Sequence, residues 1–290
     1  MSTVYDAGVV GSAGFLGGAI TRDLTARGLA VTRFTRNYPA VQGGALAPEA
    51  ARSRVLVWAA GGLGPALAHE RPDLVERDLA DFEAFVAAAM AADVPPRIVL
   101  LSSGGAVYGH PELPPYRETA PVHPANAYGR YKREQELILA RAHVPGTAIR
   151  LSNAYGEGQT GAGDRGVLAI WMRAVLAGEP VRVVGDGEVE RDYVHVGDVA
   201  EAVARIAARP DAPPVLNIGS GRPTHLIDLL ELLEYVVGPS RVEVERLPSR
   251  GVDAPSTWLD VSLAHQALDW RASVPLAAGI ERMWAWMRDS

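Results

Sequence analysis

The feature that most constrains this chain is a glycine fingerprint, Gly11-Ser-Ala-Gly14-Phe15-Leu16-Gly17, directly after the apolar run Gly8-Val9-Val10. A strand that turns into a helix through such glycines lets the backbone approach a ligand closely. The helix N-terminus adds unpaired N–H groups and partial positive charge, which suit a pyrophosphate. A packed turn is the other use of these glycines, and their place after the first strand favours a dinucleotide. The chain that follows agrees. Short apolar runs alternate with helical patterns, the mark of parallel strands joined by crossover helices. Strands are expected at 29–34, 55–59 and 98–101, the last two apolar throughout as strands buried on both faces should be. Helices are expected over 18–27, closed by Gly28, over 79–92 and over 128–142. Between Phe34 and Val55 only a weak strand candidate near 41–46 appears, so a full Rossmann unit looks trimmed there.

After Asn153 the texture changes. A glycine-rich stretch over 156–166 leads to a helix over 167–176, a strand over 181–184 and a helix from Asp198, which is expected to cap it. A strand over 215–218 and a helix over 226–237 follow. The C-terminal stripe of Ile280, Met283, Trp284 and Met287 reads as core packing.

Tyr128 and Lys132 stand four residues apart and share a helix face. A phenol with a pKa of about 10 is a poor base. One cation at about 4 Å, at an effective dielectric near 20, is worth roughly 4 kcal/mol, or about three pKa units. Lys132 together with a positive nicotinamide ring is therefore expected to bring Tyr128 towards neutrality as a proton shuttle. Ser102 and Ser103, at a strand end, offer a hydroxyl to a substrate oxygen. At the end of the second strand Thr35 and Arg36 stand where a carboxylate would favour a ribose 2′-OH. A hydroxyl and a guanidinium suit a 2′-phosphate instead, so NADP is favoured over NAD. Arg191, with Asn153 and Arg250, offers donors to a substrate phosphate. A surface ion pair of Arg191 with Asp192 or Glu190 fits the same spacing.

Composition removes other classes. A formal net charge of −6 argues against a nucleic-acid partner. The absence of cysteine excludes disulfides and thiol catalysis, and seven scattered histidines give no metal-ligand spacing. Asp6 and the early glycine turn rule out a secretory pattern, and Asp81 and Glu83 break the only alanine-rich stretch. A soluble, cytoplasmic protein is expected.

Taken together these residues resemble the extended short-chain dehydrogenase/reductase family, in its NDP-sugar epimerase/dehydratase branch typified by UDP-glucose 4-epimerases. The resemblance rests on the glycine fingerprint, Ser102-Ser-Gly-Gly-Ala-Val-Tyr-Gly109, Tyr128-Gly-Arg-Tyr-Lys132, Ser152-Asn-Ala-Tyr-Gly156, Arg191-Asp-Tyr-Val-His-Val-Gly-Asp-Val199 and Asn217-Ile-Gly-Ser-Gly221. It implies an α/β fold: a Rossmann-type doubly wound parallel sheet over 1–155 and a smaller C-terminal α/β substrate domain over 156–290. Segments around 188–215 would return to the first unit. It implies Ser103, Tyr128 and Lys132 as catalytic residues. Gly11, Gly14, Phe15, Leu16, Gly17, Thr35, Arg36, Ala59, Ala60, Tyr128 and Lys132 would line the cofactor. Ser103, Asn153, Arg191 and Arg250 would meet an NDP-sugar, and a homodimer is implied. The leading expectation is an NDP-sugar epimerase, with an NADPH-dependent ketosugar reductase as the rival and a non-catalytic nucleotide sensor behind both. The chain departs from the family pattern at Val10, Thr35, Trp58 and Asp78. It also departs at Gly104, where an ungapped alignment would put the catalytic serine.

Overall fold

The computed structural model describes residues 4–109, 113–161, 165–249 and 255–290. Six parallel strands form its main sheet in the spatial order Val215–Ile218, Gly146–Leu151, Arg97–Ser103, Ser53–Trp58, Tyr5–Val10, Val31–Phe34. The strand order reverses at Tyr5–Val10, and such a switch point opens a crevice at the carboxyl ends of the strands. Val10 pairs with both Phe34 and Trp58, so three strands end level and the residues after them face one crevice.

Side-chain alternation divides the helices between the two faces. Val9, Val55, Val57 and Val99 pack with Ile20 and Leu24 of the helix Phe15–Ala26 and with Val199 and Val203 of Val196–Ala207. Leu56, Trp58, Ile98 and Leu100 pack with Phe82, Phe85 and Leu139 of Pro72–Met90 and Ala127–Arg141. Burying each such side chain contributes roughly 1.5–3 kcal/mol. A sheet covered on both faces favours apolar residues in its central strands, which is why the run Val55-Leu56-Val57 shows no alternation, whereas the edge strand Val31–Phe34 exposes Arg33.

A separate apolar cluster gathers Trp171, Leu229, Leu233, Ile280, Met283 and Trp284 from the helices Val167–Ala177, Leu226–Val237 and Leu276–Asp289. Smaller sheets lie beside it. Val181–Val184 pairs with Val244–Leu247, and Glu190–His195 pairs with Asn153–Tyr155, Pro223–His225 and Ser256–Thr257.

Several local expectations need correction. The 41–46 segment is an antiparallel hairpin of Val41–Gln42 and Ala45–Leu46 that stays off the main sheet. The chain between Phe34 and Ser53 is too short to hold another parallel strand with its crossover helix. The first helix starts at Phe15, not at 18. The next long helix starts at Pro72, a favoured first position, rather than at 79. Asp198 is not a cap. The helix Val196–Ala207 is capped by His195, whose Nδ1 accepts from Gly197 N at 3.1 Å. The buried Asp198 carboxylate instead accepts from Ser273 N, Ser273 Oγ and Val274 N at 3.0, 2.8 and 3.1 Å. That ties the start of the C-terminal helix to the main sheet's helical layer.

Candidate functional site

The glycine turn is held tightly to its neighbours. Gly11 N and Ser12 N donate to Phe34 O at 3.0 and 3.2 Å, and the buried Ser12 Oγ donates to the same oxygen at 3.1 Å. Gly11 has φ +84°, and a Cβ there would lie 2.7 Å from Ala59 O and Ala60 N, so only glycine fits. No side chain caps the helix that begins at Phe15. A helix N-terminus whose first-turn N–H groups have no side-chain acceptor suits an anion. Gly11 thus lies against Ala59 and Ala60, Gly14 and Gly17 close in on the Gly11 carbonyl, and Phe15 and Leu16 open the helix that follows. Beyond Phe34, Thr35 N donates to Tyr38 O at 3.0 Å in a tight turn. Arg36 reaches back across the crevice, its Nη2 3.9 Å from where a Cβ of Gly62 would lie. The nearby carboxylate, Glu49, accepts from the Tyr38 hydroxyl at 2.7 Å.

The reacting groups lie where the strand Arg97–Ser103 ends. Ser102 is buried and donates to Glu136 Oε1 at 2.7 Å. Gly104 is buried too, and a Cβ there would lie 2.9 Å from the Leu259 methyl carbons, so a serine would have to displace that side chain. The half-buried Ser103 is the hydroxyl that meets Tyr128. Two features of the next helix bring Tyr128 there. Asn126 Oδ1 accepts from Gly129 N at 2.8 Å and starts the helix, while Gly129 lies against the Ala106 carbonyl with no room for a side chain.

Lys132 behaves differently from the sequence-based expectation. It is the only lysine of the chain and only 7% exposed. Its Nζ donates to Leu101 O at 3.1 Å and to Gln135 Oε1 at 3.0 Å, and it sits 5.0 Å from the centre of the Tyr131 ring. Burial pushes the ammonium down to about 8, against the pull of Asp78 and Glu136. Burial raises Tyr128, and what opposes this is the charge of Arg165 and the hydrogen bond with Ser103, not Lys132. The lysine's hydrogen bonds direct it to Leu101 and Gln135. The phenol is therefore held protonated at neutral pH, a proton donor as it stands.

Arg165 escaped the sequence reading. Its Cδ and Cγ lie 2.9 and 3.0 Å from where a Cβ of Gly64 would be, so its arm runs along the 61–64 loop. The available signal was a lone cation in the glycine-rich segment 156–166. A buried ion pair also went unseen: Arg150 donates to Glu136 at 3.0 and 2.8 Å and braces the Tyr128 helix against Gly146–Leu151.

On the substrate side, Asn153 and Arg191 come from adjacent strands. Asn153 Nδ2 donates to Asp192 O at 3.0 Å and Arg191 Nη1 to Glu190 O at 2.7 Å. Asp192 is held by Ser220 and Gly221, and Glu190 stands 3.4 Å from His225. Arg250 lies outside the described residues. No helix of the described chain is long and apolar enough to cross a membrane.

A Rossmann crevice with a Ser-Tyr-Lys set at its mouth defines a nucleotide-dependent dehydrogenase-type protein. The profile of the NAD dependent epimerase/dehydratase family matches residues 7–219, and the chain belongs to that family. It is 35% identical to a UDP-glucose 4-epimerase of Mycolicibacterium smegmatis, over 64% of this chain and 60% of that protein. The chain thus matches less than two thirds of that relative's length. It is 30% identical to a dTDP-6-deoxy-L-talose 4-dehydrogenase (NAD(P)(+)) of Kitasatospora kifunensis, over 95% of this chain and 93% of that one. Among solved structures, the UDP-glucose 4-epimerase of Thermotoga maritima with UDP-glucose superposes with a TM-score of 0.85. Their identity is 27%, over 98% of both chains.

Proposed function

We propose that this protein is an NDP-hexose epimerase of the UDP-glucose 4-epimerase type. The observation that carries the reading is the meeting of Ser103 and Tyr128 at the mouth of the crevice formed by the glycine turn. A bound nicotinamide dinucleotide supplies reversible hydride transfer. Tyr128, once its own proton has passed to solvent, would take the proton from a sugar hydroxyl as the carbon is oxidised, and would return it as the ketosugar is reduced from its opposite face. Ser103 holds the oxygen while the proton moves. Lys132, buried beneath the crevice, would hold the cofactor's ribose, and the uncapped helix end would receive the pyrophosphate. Asn153, Arg191 and Arg250 are assigned to the nucleotide diphosphate of the substrate. Cytoplasmic location, from the sequence pattern, and a homodimer, from the family resemblance, remain part of this reading.

Two observations favour a second reading, an NADPH-dependent NDP-ketosugar reductase. Tyr128 is held protonated, as an acid that protonates a carbonyl oxygen should be. Thr35 and Arg36 also replace the acidic residue that would select NAD. The relative matched over almost its whole length carries NAD(P)(+) in its name. The deciding experiment is to release and identify the nucleotide from purified protein, then supply UDP-, dTDP- and GDP-sugars and their 4-keto forms. Epimer formation without net cofactor loss supports the first reading. Cofactor consumed in proportion to product supports the second, and no turnover with any of them defeats both.

A further inference from the structure

Behind Lys132 lies a buried polar group that the proposed reaction does not use. Gln135 is fully buried: its Oε1 accepts from Lys132 Nζ at 3.0 Å, and its Nε2 donates to the Tyr131 oxygen at 3.0 Å and to Asp78 Oδ2 at 3.3 Å. The Tyr131 hydroxyl donates to the same Asp78 oxygen. Asp78 comes from the helix Pro72–Met90 and the other three from Ala127–Arg141, so the network crosses two elements. Gly61, at φ +116°, closes it from the crevice side, where a Cβ would lie 2.9 Å from the Tyr131 hydroxyl.

A carboxylate only accepts hydrogen bonds, whereas an amide has a donating and an accepting end. Facing Asp78, Gln135 turns its NH2 towards the acid, and its oxygen is left to face Lys132. Asp78 therefore decides which end of the amide the ammonium meets. It also supplies uncommitted charge. The other acid near Lys132, Glu136, is taken by Arg150 at 3.0 and 2.8 Å, by Arg133 at 3.1 Å and by Ser102 at 2.7 Å. No arginine forms an ion pair with Asp78 among the described residues. The remaining charged groups are more remote: Arg165 acts on the Tyr128 side, while Arg130 and Glu134 line the surface cleft beside Tyr131.

We propose that Asp78 is a positioning residue which, through Gln135 and Tyr131, fixes the place of the Lys132 ammonium and keeps it charged at neutral pH. Its consequence for turnover rests on the reading of Lys132 as the cofactor's ribose ligand, but the network itself does not.

The single lysine makes this directly testable. Protein grown with lysine labelled with carbon-13 at Cε gives one lysine side-chain resonance, whose pH titration reports the charge of Lys132. In cofactor-free protein, Asp78→Asn should lower the midpoint by about one pH unit, the lower end expected for loss of a near opposite charge. Asp78→Glu, which keeps the charge, should stay close to wild type. Tyr131→Phe keeps both the acid and the amide and should shift the midpoint less than Asp78→Asn does. An unchanged midpoint in folded Asp78→Asn overturns the proposal. If that variant does not fold, Gln135→Leu decides, because removing the acceptor must lower the midpoint and an unchanged value overturns the proposal equally. Adding NADH or NADPH to the wild type tests the other reading separately. A resonance that neither nucleotide moves refutes the ribose role of Lys132, while the pH titration still judges Asp78.

Discussion

Replacing Lys132 by methionine should change the stability of the cofactor-free protein in a way that depends on pH. Burial lowers this ammonium from 10.5 to about 8 in the folded state. Each pH unit of that difference corresponds to about 1.4 kcal/mol, so the buried charge costs on the order of 3 kcal/mol. The whole cost is present below pH 8, where folded and unfolded chains both hold the proton. Between about 8 and 10.5 the folded chain sheds it first and the unfolded chain binds more protons, so wild-type stability rises with pH. Methionine fills similar volume and carries no such penalty at any pH. It also removes the donor to Leu101 O and Gln135 Oε1, a loss of roughly 1–3 kcal/mol that offsets part of the gain but does not titrate with the lysine. The prediction therefore concerns the difference between the two proteins, measured by urea unfolding at pH 7.0 and pH 9.5. The stability of Lys132→Met relative to wild type should fall by roughly 2 kcal/mol over that interval, from about 1.5 pH units at 1.4 kcal/mol each. Parallel pH profiles for the two proteins would show that the lysine is not held as a strained charge, and the reasoning would fail. Turnover by the variant should be lost at all pH values.

Five further outcomes follow from the site. Tyr128→Phe should lower kcat by about 10²–10⁴-fold with nucleotide binding retained, and a variant that keeps more than roughly a tenth of the activity removes Tyr128 from the mechanism. Ser103→Ala should reduce kcat without changing the unfolding midpoint. Ser102→Ala should instead destabilise by about 1 kcal/mol with kcat kept, since it withdraws one donor from Glu136, and the reverse pattern would exchange the two serines. Arg191→Ala should weaken NDP-sugar binding by a few kcal/mol and leave cofactor affinity unchanged in parallel titrations, whereas equal losses point to a folding role. Wild-type protein should bind NADP(H) more tightly than NAD(H), and Thr35→Asp should reverse that order by repelling a 2′-phosphate; a wild type that prefers NAD refutes the role given to Arg36.

The main sheet was legible in the sequence because its central strands are covered on both faces and so carry apolar runs such as Val55-Leu56-Val57. The glycine turn was legible for a related reason: its backbone conformation and its contact with Ala59 and Ala60 exclude side chains, so the constraint is written in residue type. Helix starts were less so. Pro72 fits a first helical position but equally a loop, and only packing against the sheet extends the helix back to it. Asp198 shows the same limit, because its position suited a cap while its partners, Ser273 and Val274, lie far along the chain.

The electrostatics of the site were the least legible part, and the reason is geometric. Spacing of four along a helix places Tyr128 and Lys132 on one face, but it does not say which way a long, flexible side chain turns. That choice was made by acceptors from elsewhere, Leu101 O on a strand and Gln135 Oε1 one helical turn on. Gln135 is itself oriented by Asp78, which stands 57 positions earlier. A charge estimated from sequence distance alone put Lys132 on the phenol; in the folded chain the cation that acts there is Arg165, from a glycine-rich segment with no helical spacing to Tyr128 at all. Motifs can thus name the groups of such a site, while its protonation states depend on contacts between elements, and these set whether Tyr128 begins the reaction as acid or base. The resting proton on Tyr128 therefore leaves the choice between epimerase and reductase to the fate of the cofactor: an epimerase passes the proton through the phenol in both directions, whereas a reductase passes it one way and consumes NADPH.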